Sequence, residues 1–220
     1  GLTCKQVGPL DDRFVCGGGG RLPGGTWRAH PLRLALESLG LATCRSWEKQ
    51  IPDCYKEAGI AQRLALLQGL MDTDGTVNGP HLSDLSYTTS SERLARDVQE
   101  LVWSLGGIAR ITSRIPVYTD RGERRLGRRA YRVHVRHPRP RDLFADASKR
   151  ERIVGEYQYA NCLKLRICAI EPAGEAPAQC IAIDHPDHLY LTDGYVVTHN
   201  TRLFDLLVTQ AVLRGEAVVI

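Results

Sequence analysis

The residues with the most specific chemistry close the run Val196-Val197-Thr198-His199-Asn200-Thr201. An asparagine amide can attack its own backbone carbonyl, close a five-membered succinimide and break the bond to the next residue. That ring closure is slow in ordinary chains. It needs a group that polarises the carbonyl and moves protons near neutral pH, and imidazole is suited to both tasks. His199 precedes the asparagine and is placed to reach the Asn200 carbonyl oxygen. His188 comes back alongside as a base if 189–192 and 195–197 form neighbouring strands. Thr201 supplies a hydroxyl as acyl acceptor. An isolated His-Asn pair says little, and the reading rests on the longer run that leads into it.

A second group of candidates lies in Leu66-Leu67-Gln68-Gly69-Leu70-Met71-Asp72-Thr73-Asp74-Gly75-Thr76-Val77. This reads as the end of an apolar helix in which Gly69 and Thr73 share one face, so that another helix backbone can approach closely. Two carboxylates come next, and Gly75 is expected to close the helix behind them. Hard cations such as Mg²⁺ take carboxylate, phosphate and water oxygens, which makes Asp74 a candidate metal ligand at the helix foot. The bland alternative is a core helix ending in a solvated Asp-x-Asp-Gly turn.

Both runs resemble known families. Cys180-Ile181-Ala182-Ile183-Asp184-His185-Pro186-Asp187-His188-Leu189-Tyr190 followed by Thr198-His199-Asn200-Thr201 resembles the C-terminal splicing blocks of inteins. Leu67 to Gly75 resembles the LAGLIDADG signature of dodecapeptide (DOD-type) homing endonucleases, which are commonly nested inside inteins. Ser46-Trp47-Glu48-Lys49-Gln50-Ile51-Pro52 resembles the Lys-x-Ile-Pro block between two LAGLIDADG copies, and Lys49 is thereby implied to assist catalysis. Tyr87 to Ala95 and Leu101 to Ile108 look like the strand, helix and Leu-Gly turn after the second copy.

By that resemblance the motif is the second of two, Asp74 supplies half of a two-metal site, and the chain reads as the C-terminal part of a longer intein. The implied activities are Mg²⁺-dependent DNA cleavage at Asp74 and splicing without a cofactor. The implied partners are double-stranded DNA and an N-terminal intein half. A DNA-binding remnant without cleavage is the alternative, and a homodimer using two copies of Asp74 is disfavoured by the Lys49 block. Cys180 and Thr198 match an intein class in which that cysteine is the initiating nucleophile; a small cysteine packed in a β core is the other reading. Beyond the junction, Leu203, Leu206, Leu207, Ala211 and Leu213 form an amphipathic helix before a strand at 217–220. This resembles the helix and strand after the phosphate loop in conjugative coupling ATPases, so a host ATPase is implied, with Thr201 as its Walker A threonine.

Charge is uneven along the chain. The net charge is +4, yet between Arg110 and Arg152 fourteen basic residues face five acidic ones. Backbone phosphates are the natural partner of such a surface. Arg110, Arg114, Arg124, Arg125, Arg128, Arg129, Arg132 and Arg136 are the candidate DNA contacts, on strands at 108–117 and 130–137 joined by a turn at 120–127. A two-stranded ribbon of that kind fits a major groove, although an ordinary solvated basic hairpin gives the same pattern. Seven cysteines without a Cys-x-x-Cys pair suit a reducing cytoplasm better than a disulfide framework or a zinc site. No apolar run approaches a membrane span.

Helices are expected at 31–39, 60–71 and 91–105, the last capped by Ser90 or Ser91, with a helical linking stretch at 138–159. Short strands are expected at 165–171, 180–184, 189–191 and 195–197. The expected fold class is α+β: a LAGLIDADG homing-endonuclease half joined to the C-terminal strands of an intein (Hint-type) all-β splicing domain. The expected boundaries are a linker at 1–28, the endonuclease at 29–159, the splicing segment at 160–200 and the host segment at 201–220.

Overall fold

The computed structural model describes residues 30–78, 85–153, 163–164, 169, 171, 177 and 181–198, and the backbone of residues 4–8, 11–16, 20–21, 27–28 and 199. Strands β1 (Cys4–Gly8) and β2 (Asp11–Cys16) pair antiparallel, as do β3 (Gly20–Arg21) and β4 (Trp27–Arg28). The stretch expected to be a linker therefore carries paired strands. The strand-favouring Val7, Phe14 and Val15 on either side of the Gly8-Pro9 turn signal suit the first pair.

The main unit is mixed α+β. Helix α1 spans Pro31–Ser38, α2 Asp53–Lys56, α3 Ile60–Asp74 and α4 Glu92–Ser104. Strands β5 (Gly75–Val77), β6 (Leu85–Thr89), β7 (Ile108–Arg114) and β10 (Ala130–Arg136) form one antiparallel sheet in the order β5-β6-β10-β7. The small strands β8 (Val117–Asp120) and β9 (Glu123–Leu126) make a separate hairpin beyond it. Pro116 lacks an amide donor, so the ladder stops there, and Arg121-Gly122, both at positive φ, turn the tip. The expected single long ribbon is therefore two short ones in series.

Period-two alternation gives the sheet one apolar face. Leu85, Tyr87, Ala109, Val133 and Val135 are buried there beneath Leu67 and Met71 of α3 and Leu94, Val98, Leu101 and Val102 of α4. The α4 spacing is the i, i+4, i+7, i+8 stripe of an amphipathic helix. Ser91 caps it, its Oγ accepting the Leu94 N–H at 3.1 Å. At the other end Gly106 takes φ +82°, while Gly106 N–H reaches Trp103 O and Gly107 N–H reaches Val102 O, each at 2.9 Å. This closure requires a residue tolerant of positive φ.

Residues 138–153 do not form the linking helix expected of them. A 3₁₀ turn at Pro140–Leu143 and helix α5 (Ala147–Glu151) fold back onto α3, burying Leu143, Phe144 and Ile153 in the same core. Pro138 and Pro140 prevent a continuous helix. Further on, β11 (Leu189–Thr192) and β12 (Val196–His199) form an antiparallel hairpin, whereas 181–183 are not a strand. Of the strand expected at 165–171, residues 169 and 171 are described and are not strand; the rest of it and the host segment 201–220 lie outside the described residues. No described helix is long and apolar enough to cross a membrane.

Candidate functional site

Helix α3 passes directly into β5, and Asp74 is its last residue. Gly75 does not adopt the left-handed helix-closing conformation expected of it; its φ of −78° and ψ of 148° are extended. Glycine is needed there for space, because a Cβ would stand 2.6 Å from the Met71 Cα. The two carboxylates differ in role. Asp72 Oδ1 accepts the N–H groups of Ala145 and Asp146, each at 3.1 Å, and so ties α3 to the segment before α5. Asp74 is exposed and has no hydrogen bond or ion pair among the described residues. Tyr87, opposite Gly75 in the sheet, has its hydroxyl pushed up to about 12 by burial and then by the charge of Asp74.

Behind this corner Lys149 Nζ donates to the carbonyls of Met71, Asp72 and Gly75 at 3.1, 2.6 and 2.8 Å. All three ammonium donors are thereby used on carbonyls of the helix end and of the first residue of β5, at the negative pole of the helix; the Met71 carbonyl also accepts the Gly75 N–H. Arg152 donates to Val77 O at 2.7 Å. By sequence these two cations belong to the basic stretch from Arg110 to Arg152; in the fold they clamp the corner that presents Asp74.

Lys49 is positioned through its backbone. Its carbonyl accepts the Ser91 hydroxyl at 2.6 Å, and two residues on, Ile51 N–H donates to buried Asp97 at 2.8 Å. Asp97 also receives Arg93 at 3.1 Å and Lys56 at 3.4 Å. Burial alone would lower the Lys56 ammonium, but hydrogen bonds to Asp53 and Glu100 and the charges of Asp97 and Glu100 outweigh it and raise the pKa. The exposed Lys49 lines a groove of about 340 Å³ with Ile51, Leu66 and Leu70, beside the α3 turn that precedes Asp74. Trp47, in the same loop, is stacked by the Arg128 guanidinium at 3.6 Å and approached by Arg45 at 5.4 Å. This joins the Lys49 loop to the base of the basic hairpin.

Among the described residues, no group of three or more His, Cys, Asp or Glu side chains stands close enough to hold a metal ion. Asp74 offers one hard oxygen ligand, and Asp72 is committed to backbone amides. The donor set here does not make a complete Mg²⁺ site. The Gly69 side of α3 has nothing within 4 Å of a Cβ built on Gly69, so the close helix approach expected there is not made among the described residues.

The polar face of the main sheet gathers the basic residues into rows. Ser86, His134 and Arg110 lie side by side across β6, β10 and β7, as do Thr88, Arg132 and Thr112, with Arg114 opposite Ala130. Thr112 Oγ1 and His134 Nε2 are 3.0 Å apart. Arg110, Arg114 and Arg136 are exposed and Arg132 is half-buried. Arg125 pairs with Asp120 at 3.2 Å and Arg129 donates to Ser113 at 3.2 Å, while Arg124 is exposed on β9.

At the C-terminal hairpin, register sets Leu189 opposite His199, so His188 and His199 come to the same end of the ribbon. His188 has φ +49°, and its Nδ1 lies 2.9 Å from Ile183 O. A carbonyl only accepts, so Nδ1 is the donor in this contact. The turn at Asp193–Tyr195 lies on α4, with a Cβ built on Gly194 standing 3.7 Å from Trp103 Cζ3. Cys180, Asn200 and Thr201 lie outside the described residues.

Residues 61–165 match the family model described as a LAGLIDADG-like domain. The chain is also 31% identical over 161 residues to the replicative DNA helicase DnaB of Mycobacterium intracellulare, covering 70% of this chain and 26% of the helicase. It is 34% identical over 133 residues to the replicative DNA helicase DnaB of Nostoc sp. strain PCC 7120, covering 59% and 14%. With the A subunit of DNA gyrase from Mycobacterium leprae it shares 33% identity over 72 residues, covering 32% and 6%. The chain thus spans about a quarter or less of the length of these curated relatives.

The LAGLIDADG-like domain takes in Asp74, the polar sheet face and the Lys149 clamp, and leaves Lys49 and the His199 hairpin outside its bounds. Such a domain is consistent with a homing-endonuclease-related function. Within it, sequence reasoning misses Thr88, Thr112 and His134, which share the arginine face. Strict alternation in Tyr131-Arg132-Val133-His134-Val135-Arg136 is the signal that could have found His134; Thr88 and Thr112 join the face through the strand register. Trp47, outside it, carries no local signal of its arginine stacking.

Proposed function

We propose that this chain is an intein segment in which a LAGLIDADG-like, DOD-type homing-endonuclease unit binds double-stranded DNA and the C-terminal hairpin cyclises Asn200. The observation that carries the DNA-binding part is the open sheet face, where the guanidiniums of Arg110, Arg114, Arg132 and Arg136 have no carboxylate partner among the described residues. Relatives with two different names, a helicase and a gyrase component, each match over a minor share of their length. That pattern supports a module inserted into unrelated hosts.

The cyclisation reading is supported by the hairpin register, which brings His188 to the end where Asn200 succeeds His199. In that step the Asn200 amide nitrogen bonds to its own backbone carbonyl carbon, and the bond to the Thr201 nitrogen breaks. The proton lost by the amide ends on the departing amine, relayed by imidazole. Cys180 is retained as the initiating nucleophile of the preceding acyl transfer, and Thr201 as the acceptor that opens the host segment, read as a P-loop ATPase. DNA cutting, with Lys49 assisting, requires Mg²⁺ oxygen ligands beyond Asp74, supplied by a second LAGLIDADG-like unit against the open Gly69 face of α3. A reducing cytoplasm suits the free thiols of Cys44 and Cys54.

The test couples the two activities. With an N-terminal intein half supplied, Asn200→Ala abolishes release of the segment from Thr201 onward by mass spectrometry, while Asp74→Ala leaves release intact. Undiminished release from the Asn200 variant would refute the cyclisation. Duplex DNA binding that weakens steeply with salt and persists in Asp74→Ala supports the nucleic-acid part. The second reading, a binding remnant, holds if nicking never results from adding Mg²⁺ and a second unit.

A further inference from the structure

We propose that the polar face of the LAGLIDADG-like sheet selects guanine-bearing DNA, with Arg132 as its central reader; this rests on the DNA-binding reading above and deepens it. The inference comes from the chemistry of the face as a set. Register places Thr76, Ser86, His134 and Arg110 in one row and Thr88, Arg132 and Thr112 in the next. Arg114 and Arg136 stand at the same alternation on β7 and β10. None of these positions carries Asp, Glu, Asn or Gln.

That composition decides which base edges the face can match. In the major groove, cytosine presents an N4 donor best met by a carboxylate, and adenine a donor and acceptor pair best met by a carboxamide. Guanine presents two acceptors, O6 and N7, that fit the two-pronged guanidinium. A surface of guanidiniums, hydroxyls and one imidazole therefore has strong partners for guanine and for phosphate and lacks the carboxylate and carboxamide that match cytosine and adenine.

Several guanidiniums elsewhere in the molecule are engaged. Arg96 binds Glu92 at 2.8 Å, Arg93 binds Asp97 at 3.1 Å, and Arg141 donates to Ile153 O at 2.9 Å. The face arginines have no such bond among the described residues, although acidic residues are nearly as numerous as basic ones in the chain, 25 against 29. Arg132 sits on the central strand, half-buried, with the hydroxyls of Thr88 and Thr112 beside it, and the Thr112 contact orients the neighbouring His134 ring. Arg132 to Arg136 spans about 14 Å at ~3.4 Å per strand residue, or about four base-pair steps at ~3.4 Å each.

The test selects binding sites for the full 220-residue chain from a randomised duplex library at fixed salt, then repeats it with Arg132→Lys and Arg132→Ala. The expected sites carry two or more guanines on one strand within about four base pairs. Arg132→Lys keeps the charge, so its salt dependence matches the parent, but it loses the planar fork, and preference for guanine falls about tenfold. Arg33→Ala, on α1 and paired with Glu37, leaves the preference unchanged and serves as control. Thermal melts confirm that the variants are folded. Selected sites rich in A·T, sites without base preference, or a guanine preference unaltered by Arg132→Lys would each overturn the assignment while leaving DNA binding standing. Absence of duplex binding by the parent chain would overturn both.

Discussion

Replacing Asp97 with alanine is the sharpest test of how the Lys49 segment is held. The carboxylate is 2% exposed and joins three elements: it accepts the Ile51 N–H, the Arg93 guanidinium and the Lys56 ammonium. Truncation leaves the Ile51 N–H without its acceptor, which costs about 1–3 kcal/mol for a buried group. Lys56 keeps Asp53 at 3.0 Å and Glu100 at 3.1 Å, so the full penalty of an orphaned buried charge, roughly 3–5 kcal/mol, is not incurred. The expected loss is therefore about 3 kcal/mol. Asp97→Asn retains an oxygen for Ile51 and is expected to lose at least about 1 kcal/mol less. Urea unfolding of the three proteins measures this, and hydrogen exchange at Ile51 reports the local release. Equal midpoints for parent and Asp97→Ala, or for the Asn and Ala variants, would refute the anchoring argument.

Lys149→Met removes three hydrogen bonds from the end of α3 and is expected to cost about 2–3 kcal/mol, a charged donor contributing about 1.5–3, with faster amide exchange from Met71 to Val77. Gly75→Ala forces a Cβ against the Met71 backbone and should cost at least about 1–3 kcal/mol by chemical denaturation, the range for overpacking; a neutral result would show that the corner relaxes freely. Hydrogen bonds from the Ser148 hydroxyl and N–H hold the Asp146 carboxyl below its ordinary range. Its folded pKa lies below its unfolded one, so the α5 cap is fully present above the usual carboxylate value near ~4 and is lost as pH falls through the folded value. Protection factors at the start of α5, with the intrinsic pH dependence of exchange divided out, should therefore fall only on acidification, with no change between about pH 5 and 8.

The three principal helices are legible in the sequence because each repeats its apolar residues at helical spacing, and α4 also announces both ends through Ser91 and Leu105-Gly106-Gly107. The Lys49 loop and Asp74 are legible only through resemblance; their local composition reads equally as loop and helix end. The illegible part is tertiary. Nothing near Lys149 says that its ammonium turns inward to three carbonyls, and nothing near Asp72 separates it from Asp74 until the Ala145 and Asp146 amides arrive from more than seventy residues away. Gly75 reads locally as a conformational switch, whereas Met71 makes it a matter of space.

Strand β7 closes one side of the four-stranded sheet, and no described strand pairs with its outer side. Such a border invites self-association unless charge repels the newcomer. Arg110 and Arg114 stand on that border at one alternation, and their like charges would oppose the docking of an identical molecule there. Neutralising both to study recognition will therefore also lower the concentration at which the protein precipitates, and single substitutions at Arg132, one strand inward, avoid that confusion.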